Sequence, residues 1–235
     1  MFFFFLQRSV ILGSIYMVKI RVWDLPTRLF HWALVLCVLA LVITGNVGGD
    51  AMVWHFRFGY TVLSLLIFRA IWGFVGGLWS RWSALRGSPA AVWSSVRHPS
   101  GMPQPGHSAL GSLSVAALLM FLLMQVGTGL ISDDEIATAG PFVPWVSSSL
   151  SAMATHWHTQ TGKFVLLSLI ALHIAAIWFY RRFKQLHLTS TMVTGDQLFP
   201  QDWPASRDEA STRLWAWLIW CLSAGLVFGL IQYAP

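Results

Sequence analysis

The fold class this sequence predicts is all-α, an integral membrane helical bundle, and three observations predict it. Charged residues make up only 10% of the 235 positions and hydrophobic residues 56%, whereas soluble domains carry about 25% charged residues. Mean hydropathy is +0.62. Five stretches, 26–46, 54–78, 108–131, 156–180 and 213–233, reach the roughly 20 apolar residues that cross a hydrocarbon core of about 30 Å.

The first span begins after "WDLPTRLF", where Pro26 suits a first helical turn, and closes in the glycine-rich "TGNVGGD". The third stops at "SDDE", a polar block that cannot enter lipid. Between the fourth and fifth spans, "QLHLTSTMVTGDQLFPQDWPASRDEAST" reads as a polar loop, and no internal repeat is evident. The first four spans fall within 19–196, and 197–235 supplies a loop and a fifth, C-terminal transmembrane helix. Residues 1–18 form an apolar N-terminal extension. Its first sixteen residues lack a basic n-region and a small-residue cleavage site, so they do not read as a signal peptide. They read as an overextended reading frame, with Met17 as the natural start, or as an interfacial apolar tail.

Basic residues mark one side of the bundle. Lys19, Arg21 and Arg28 precede span one, Arg81, Arg86 and Arg97 separate spans two and three, and "RRFK" follows span four. The opposite connections hold Asp50, Arg57, Asp133, Asp134 and Glu135. The bias predicts a cytoplasmic N-terminus and a periplasmic C-terminus in a bacterial inner membrane. It also accounts for the net charge of +6 without a nucleic-acid partner. Cys37 and Cys221 lie inside apolar stretches with no CxxCH or paired CxxC, which excludes covalent c-type haem and a cysteine zinc site. Many of the fourteen tryptophans sit at span ends as interfacial anchors and receive no redox role.

Eight histidines are the conspicuous feature of a chain this apolar. A single histidine in an apolar helix is ordinarily a hydrogen-bonded packing residue, yet ionisable groups inside a membrane are costly and point to function. His31 opens span one from the basic side, and His55 opens span two from the opposite side. His158 lies at the mouth of span four on that opposite side. His173 is about 22 Å deeper at 1.5 Å per residue and within about 60° of the same face. Two depth-matched pairs result, His31 with His173 and His55 with His158. One imidazole from each of two helices, at two levels, is what two bis-histidine haems stacked across a membrane require. His156 lies about 100° off the His173 face and stays open as the alternative to His158, because a helix end frays. His98 and His187 belong to polar, basic loops and read as solvated. His107 opens span three, where it could cap the helix, contact a haem propionate or act as an alternative inner ligand.

Six segments in order, "VWDLPTRLFHW" (22–32), "WHFRFGY" (54–60), "GHSALG" (106–111), "TGLISDDE" (128–135), "LHIAAIWFY" (172–180) and "MVTG" (192–195), resemble the bacterial di-haem cytochrome b561 family. That family is similar to the cytochrome b subunit of nickel–iron hydrogenases. The resemblance spans residues 19–196 and places the family's ligands on His31, His55, His158 and His173. The fourth helix carries an extra residue around "TQTGKF" relative to the family spacing, which leaves His156 in play. The resemblance implies two non-covalent haem b groups in a four-helix core. It implies electron transfer between the quinone pool, as quinone or quinol, and a redox partner: another redox subunit, a periplasmic cytochrome c or another oxidoreductase.

Other residues fit that reading. Gly59, four after His55, and Gly162, four after His158, remove bulk where a macrocycle would approach, although glycines serve helix packing equally. Arg28 near His31 and Arg57 near His55 are candidates to pair haem propionates, while Arg28 also serves as a topology signal. The competing class is a haem-free membrane transporter with functional histidines. The near absence of Asp and Glu from the spans argues against it.

Overall fold

The computed structural model describes residues 17–97 and 104–234. The apolar extension over 1–16 and His98 lie outside the described residues. Five helices are long and apolar enough to span a membrane: α1 (Leu25–Val47), α2 (Met52–Val75), α4 (Ala109–Leu130), the continuous Ser148–Phe183 segment and α8 (Ala210–Gln232). A short helix α3 (Pro89–Arg97) precedes α4. The fourth span begins earlier than its hydropathy suggests, because "SSLSAMAT" is polar by composition yet helical. It runs as α5 (Ser148–His156), one wide π-type turn over Trp157–Thr161, and α6 (Gly162–Phe183).

Each end of the bundle is shaped by local chemistry. Asp24 caps α1 by accepting from the Thr27 N–H, with Pro26 in the first turn as the sequence predicts. At the other end of α1, Gly48 and Gly49 adopt φ of 67° and 53°. These left-handed values suit glycine and turn the chain at once into α2. Helix α2 is the central strut: 44% of its apolar window is buried, against 11–17% for the other spans. It packs on α1, α8 and α4, while α6 packs on α4. Among the described residues, α6 makes no extensive contact with α1 or α2. Leu166 of α6 still joins the same buried cluster as Phe30 and Cys37 of α1 and Val62 and Leu65 of α2.

The stretch between α6 and α8 is more ordered than its polar composition suggests. It contains α7 (Leu188–Thr194) and a strand, β2 (Asp196–Phe199), paired antiparallel with β1 (Val18–Arg21) in the register Val18↔Phe199 to Arg21↔Asp196. Four-residue strands containing Lys19, Arg21 and Asp196 give no apolar run to read. Buried Ile20 and Phe199 pack with Val22 and Trp23 beneath the pairing, and ion pairs flank it: Lys19 and Arg21 meet Asp196, and Arg21, Arg28 and Arg213 gather on Asp208. Burial alone would raise the Asp208 pKa, but hydrogen bonds from Arg213 and the Leu25 N–H, with the charges of Arg213 and Arg21, bring it below the usual value. A depressed carboxylate stabilises the fold above its unfolded pKa of about 4. That contribution is lost as pH falls through the lowered value. We refer to this end as the strand end, and to the end carrying the 131–147 connection as the far end.

Asp24 ties the strand end together. It is fully buried (0% exposed). Besides the Thr27 N–H, its carboxylate accepts from Trp72 Nε1 at 3.2 Å, the Gly77 N–H at 3.0 Å and Ser80 Oγ at 2.9 Å. Asp24→Ala strands these donors in a buried site, at about 1–3 kcal/mol for each left unpaired. A markedly lowered thermal unfolding midpoint of the purified chain is the expected result; an unchanged midpoint would refute this role for Asp24.

Candidate cofactor site

At the far end, His55 of α2 and His158 of the wide turn bring their rings to 6.0 Å between centroids, nearly perpendicular at 88°. Each is held the same way. His55 Nδ1 donates to the Leu41 carbonyl of α1 at 3.1 Å, and His158 Nδ1 donates to the Gln125 carbonyl of α4 at 2.8 Å. Four residues after each carbonyl stands a glycine beneath the ring. A Cβ on Gly45 would fall 2.9 Å from His55 Cε1, and one on Gly129 would fall 2.7 Å from His158 Cε1. Before each glycine is a threonine, Thr44 or Thr128, whose hydroxyl donates back to its own helix at Ala40 and Met124.

The far end thus repeats one device on α1 and α4, a Thr-Gly pair with an acceptor carbonyl three residues before the threonine. The repeat escapes a reading of the sequence because only two letters recur, and the histidines follow their carbonyls at different distances. With Nδ1 donating to a carbonyl, each Nε2 is the unprotonated nitrogen.

The wide turn decides between the neighbouring histidines. It takes up one extra residue, about 100° of rotation. The offset between His158 and His173 therefore passes from about 60° on one side to about 40° on the other. His156 is carried to about 160° from His173 by the same rotation. In agreement, His156 is exposed while His158 is half-buried.

At the strand end, His31 of α1 and His173 of α6 lie within electrostatic reach of each other. The buried His31 Nδ1 has no hydrogen-bond partner. His107 joins them, its ring 4.7 Å from that of Trp23. Burial pushes His107 down to about 4, with Arg69, His173 and His31 adding in the same direction. His107 does not cap α4. That role belongs to Ser108, whose Oγ accepts from the Gly111 N–H.

The remaining predicted residues divide. Arg28 donates to the Val193 carbonyl at 2.6 Å and pairs with Asp208 at 3.7 Å, so its guanidinium serves the strand-end latch. Arg57 is exposed, with its guanidinium 4.9 Å from the centroid of the Trp54 ring. A Cβ at Gly59 would meet nothing within 4 Å, so half-buried space is open beside it. Gly162 instead makes room for the Gln125 and Trp157 side chains, each 2.4 Å from its added Cβ. It is a packing glycine, because the wide turn breaks its four-residue relation to His158. His187 is exposed, as its polar loop suggests.

Five apolar helices enclosing two levels of histidine define a multi-pass membrane bundle of the kind that houses buried redox groups. The chain belongs to the prokaryotic cytochrome b561 family, whose family model matches residues 22–195. It is 24% identical over 224 residues to a "Probable Ni/Fe-hydrogenase B-type cytochrome subunit" of Rhizobium leguminosarum bv. viciae, covering 77% of this chain and 90% of that one. It is also 24% identical to the "Probable Ni/Fe-hydrogenase 1 B-type cytochrome subunit" of Escherichia coli K12, over 53% of this chain and 64% of the relative, somewhat under two thirds of its length. No solved structure matches. Family and fold together make the chain a membrane electron-transfer protein of the haem b class.

Proposed function

We propose that the chain carries electrons across a bacterial inner membrane through two non-covalent b haems, one held by His31 and His173 and the other by His55 and His158. The observation that carries this reading is the far-end pair. Metal–imidazole bonds are about 2 Å long, so two imidazoles on one iron have ring centroids about 6 Å apart, and these rings stand 6.0 Å apart. Their Nδ1 atoms are already committed to carbonyls, the outer-shell arrangement that orients imidazole ligands and raises their basicity. The open space at Gly59, four residues after His55, would admit the edge of a planar group.

A bound b haem supplies a one-electron carrier whose potential follows its ligands and surroundings. The chain's own residues orient the imidazoles, keep water away and set the local field. No Asp or Glu lies within the spanning helices α1, α2, α4, α5, α6 and α8, which removes the carboxylates a proton-coupled transporter would use.

The basic strand end lies on the cytoplasmic side and the C-terminus in the periplasm. Electrons pass between the quinone pool and a redox partner. The hydrogenase names of the relatives favour a membrane-associated enzyme subunit as that partner, ahead of a periplasmic cytochrome c.

Haem counting tests this. The purified full chain is expected to give two pyridine haemochrome equivalents. His31→Ala and His173→Ala should each remove the same one, leaving about half. Loss of different spectral components in the two variants would break the pairing, and one equivalent or none in the unaltered chain would refute the two-haem count.

A further inference from the structure

We propose that Arg69 binds a propionate carboxylate of the strand-end haem, an assignment that rests on the haem reading above. Arg69 follows His55 by fourteen residues on α2. It therefore lies about 21 Å further along the helix, within about 40° of the same face. It is only 5% exposed. Its Nη1 is buried with no hydrogen-bond partner, and among the described residues it forms no ion pair. A buried, permanently charged guanidinium without an anion is strongly unfavourable. The fold nevertheless builds a place for it. Trp82 lies under the guanidinium at 4.1 Å, its own indole N–H spent on the Ala70 carbonyl. Gly73 clears the space for that indole, since a Cβ there would fall 2.0 Å from Trp82 Nε1.

The nearby carboxylate acts on Arg69 only at a distance, with no ion pair or hydrogen bond between them. Asp24 is within electrostatic reach of Arg69, but both its oxygens already accept hydrogen bonds: Oδ1 from the Thr27 N–H and Trp72, Oδ2 from the Gly77 N–H and Ser80. One face of the guanidinium is therefore covered by an aromatic ring, while an N–H-bearing edge is left without a partner. Arg69, His31 and His173 all lie within electrostatic reach of His107, which sets the guanidinium in the same end of the bundle as the strand-end pair. A guanidinium fork matches a carboxylate better than any other anionic group of a b haem offers. The other nearby arginine on this side, Arg28, donates to the Val193 carbonyl and pairs with Asp208, with only its buried Nε left without a partner. Arg69, which among the described residues carries no such ion pair, is therefore the better-placed propionate partner at this end.

The test is a redox titration of each haem in the purified full chain and in Arg69→Gln and Arg69→Lys, followed across pH. A cation beside a haem favours the reduced, more negative form. Arg69→Gln is therefore expected to shift the equilibrium of one haem about tenfold towards oxidised, about 59 mV for one electron. That haem's potential should also become pH-dependent near neutrality, falling as pH rises, because its propionate loses the charge that kept it ionised. Arg69→Lys should restore the unaltered potential. If Arg69→Gln loses the haem and Arg69→Lys retains it, the assignment also stands. Unchanged potentials and pH profile in Arg69→Gln would overturn it, as would equal loss of the haem in both variants while the chain still inserts. An unaltered chain without haem would instead remove the reading beneath it.

Discussion

His158→Ala is expected to leave the purified chain with about half its haem, whereas His156→Ala keeps the full complement and a low-spin spectrum. The two residues are two positions apart, about half a helical turn, at the mouth of the same span, and composition alone does not separate them. The structure does so through the wide turn over Trp157–Thr161. That turn carries His158 against the Gln125 carbonyl and towards His55 and leaves His156 exposed. The Gln125 side chain adds to the hold, donating through Nε2 to the His158 carbonyl at 2.6 Å. Haemochrome content and the reduced-minus-oxidised spectrum of the two variants check this. Loss of haem in His156→Ala with retention in His158→Ala would move the ligand by two residues and contradict the seating of His158.

Substitution of the two glycines beneath the rings is expected to act almost as strongly, without touching a ligand. In Gly129→Ala the new methyl would stand 2.7 Å from His158 Cε1, and in Gly45→Ala 2.9 Å from His55 Cε1. Either the imidazole or the helix must yield. Displacing the imidazole also lengthens its bond to Gln125 or Leu41, and loss of such outer-shell partners weakens metal sites by about 10–100-fold. Both variants should therefore bind the far-end haem about 10–100-fold more weakly while retaining the strand-end haem. Gly127→Ala is the matched control: it lies on the same helix, two residues earlier, and its Cβ would meet nothing within 4 Å. Haem retention through purification, compared across the three, is the measurement. Equal retention in Gly129→Ala and Gly127→Ala would show that the glycine does not seat the ring.

The spanning helices were legible in the sequence because lipid imposes one long apolar run per crossing, and α1, α2, α4 and α8 fall within three residues of the predicted spans at nearly every end. The height of each histidine was legible for a related reason: rise per residue turns sequence position into depth, which is why His55 and His158 lie at the same end. Other features depend on contacts between distant segments. Val18–Arg21 alternates apolar and charged residues over too few positions to mark a strand alone; its partner lies beyond four spans at Asp196–Phe199, and burial of Ile20 against Phe199 together with charge pairing holds it. Asp24 and Arg69 look like ordinary polar residues flanking or ending apolar runs. Only the folded chain shows that one carboxylate is fully hydrogen-bonded and one guanidinium is left with an open edge. For Gly162 the sequence left two roles open, room for a macrocycle or helix packing, and its contacts with Gln125 and Trp157 favour packing, because the wide turn breaks the regular four-residue relation to His158.

The low-temperature electron paramagnetic resonance spectrum of the oxidised, purified full chain tests the central claim most directly. Two imidazoles on each iron make every haem low-spin. A low-spin haem held between near-perpendicular imidazole planes, as His55 and His158 stand at 88°, would give a strongly anisotropic signal. The account predicts low-spin ferric haem alone, including one strongly anisotropic component that disappears in His55→Ala and in His158→Ala together. A dominant high-spin ferric signal in the unaltered chain, or no haem signal at all, would contradict it.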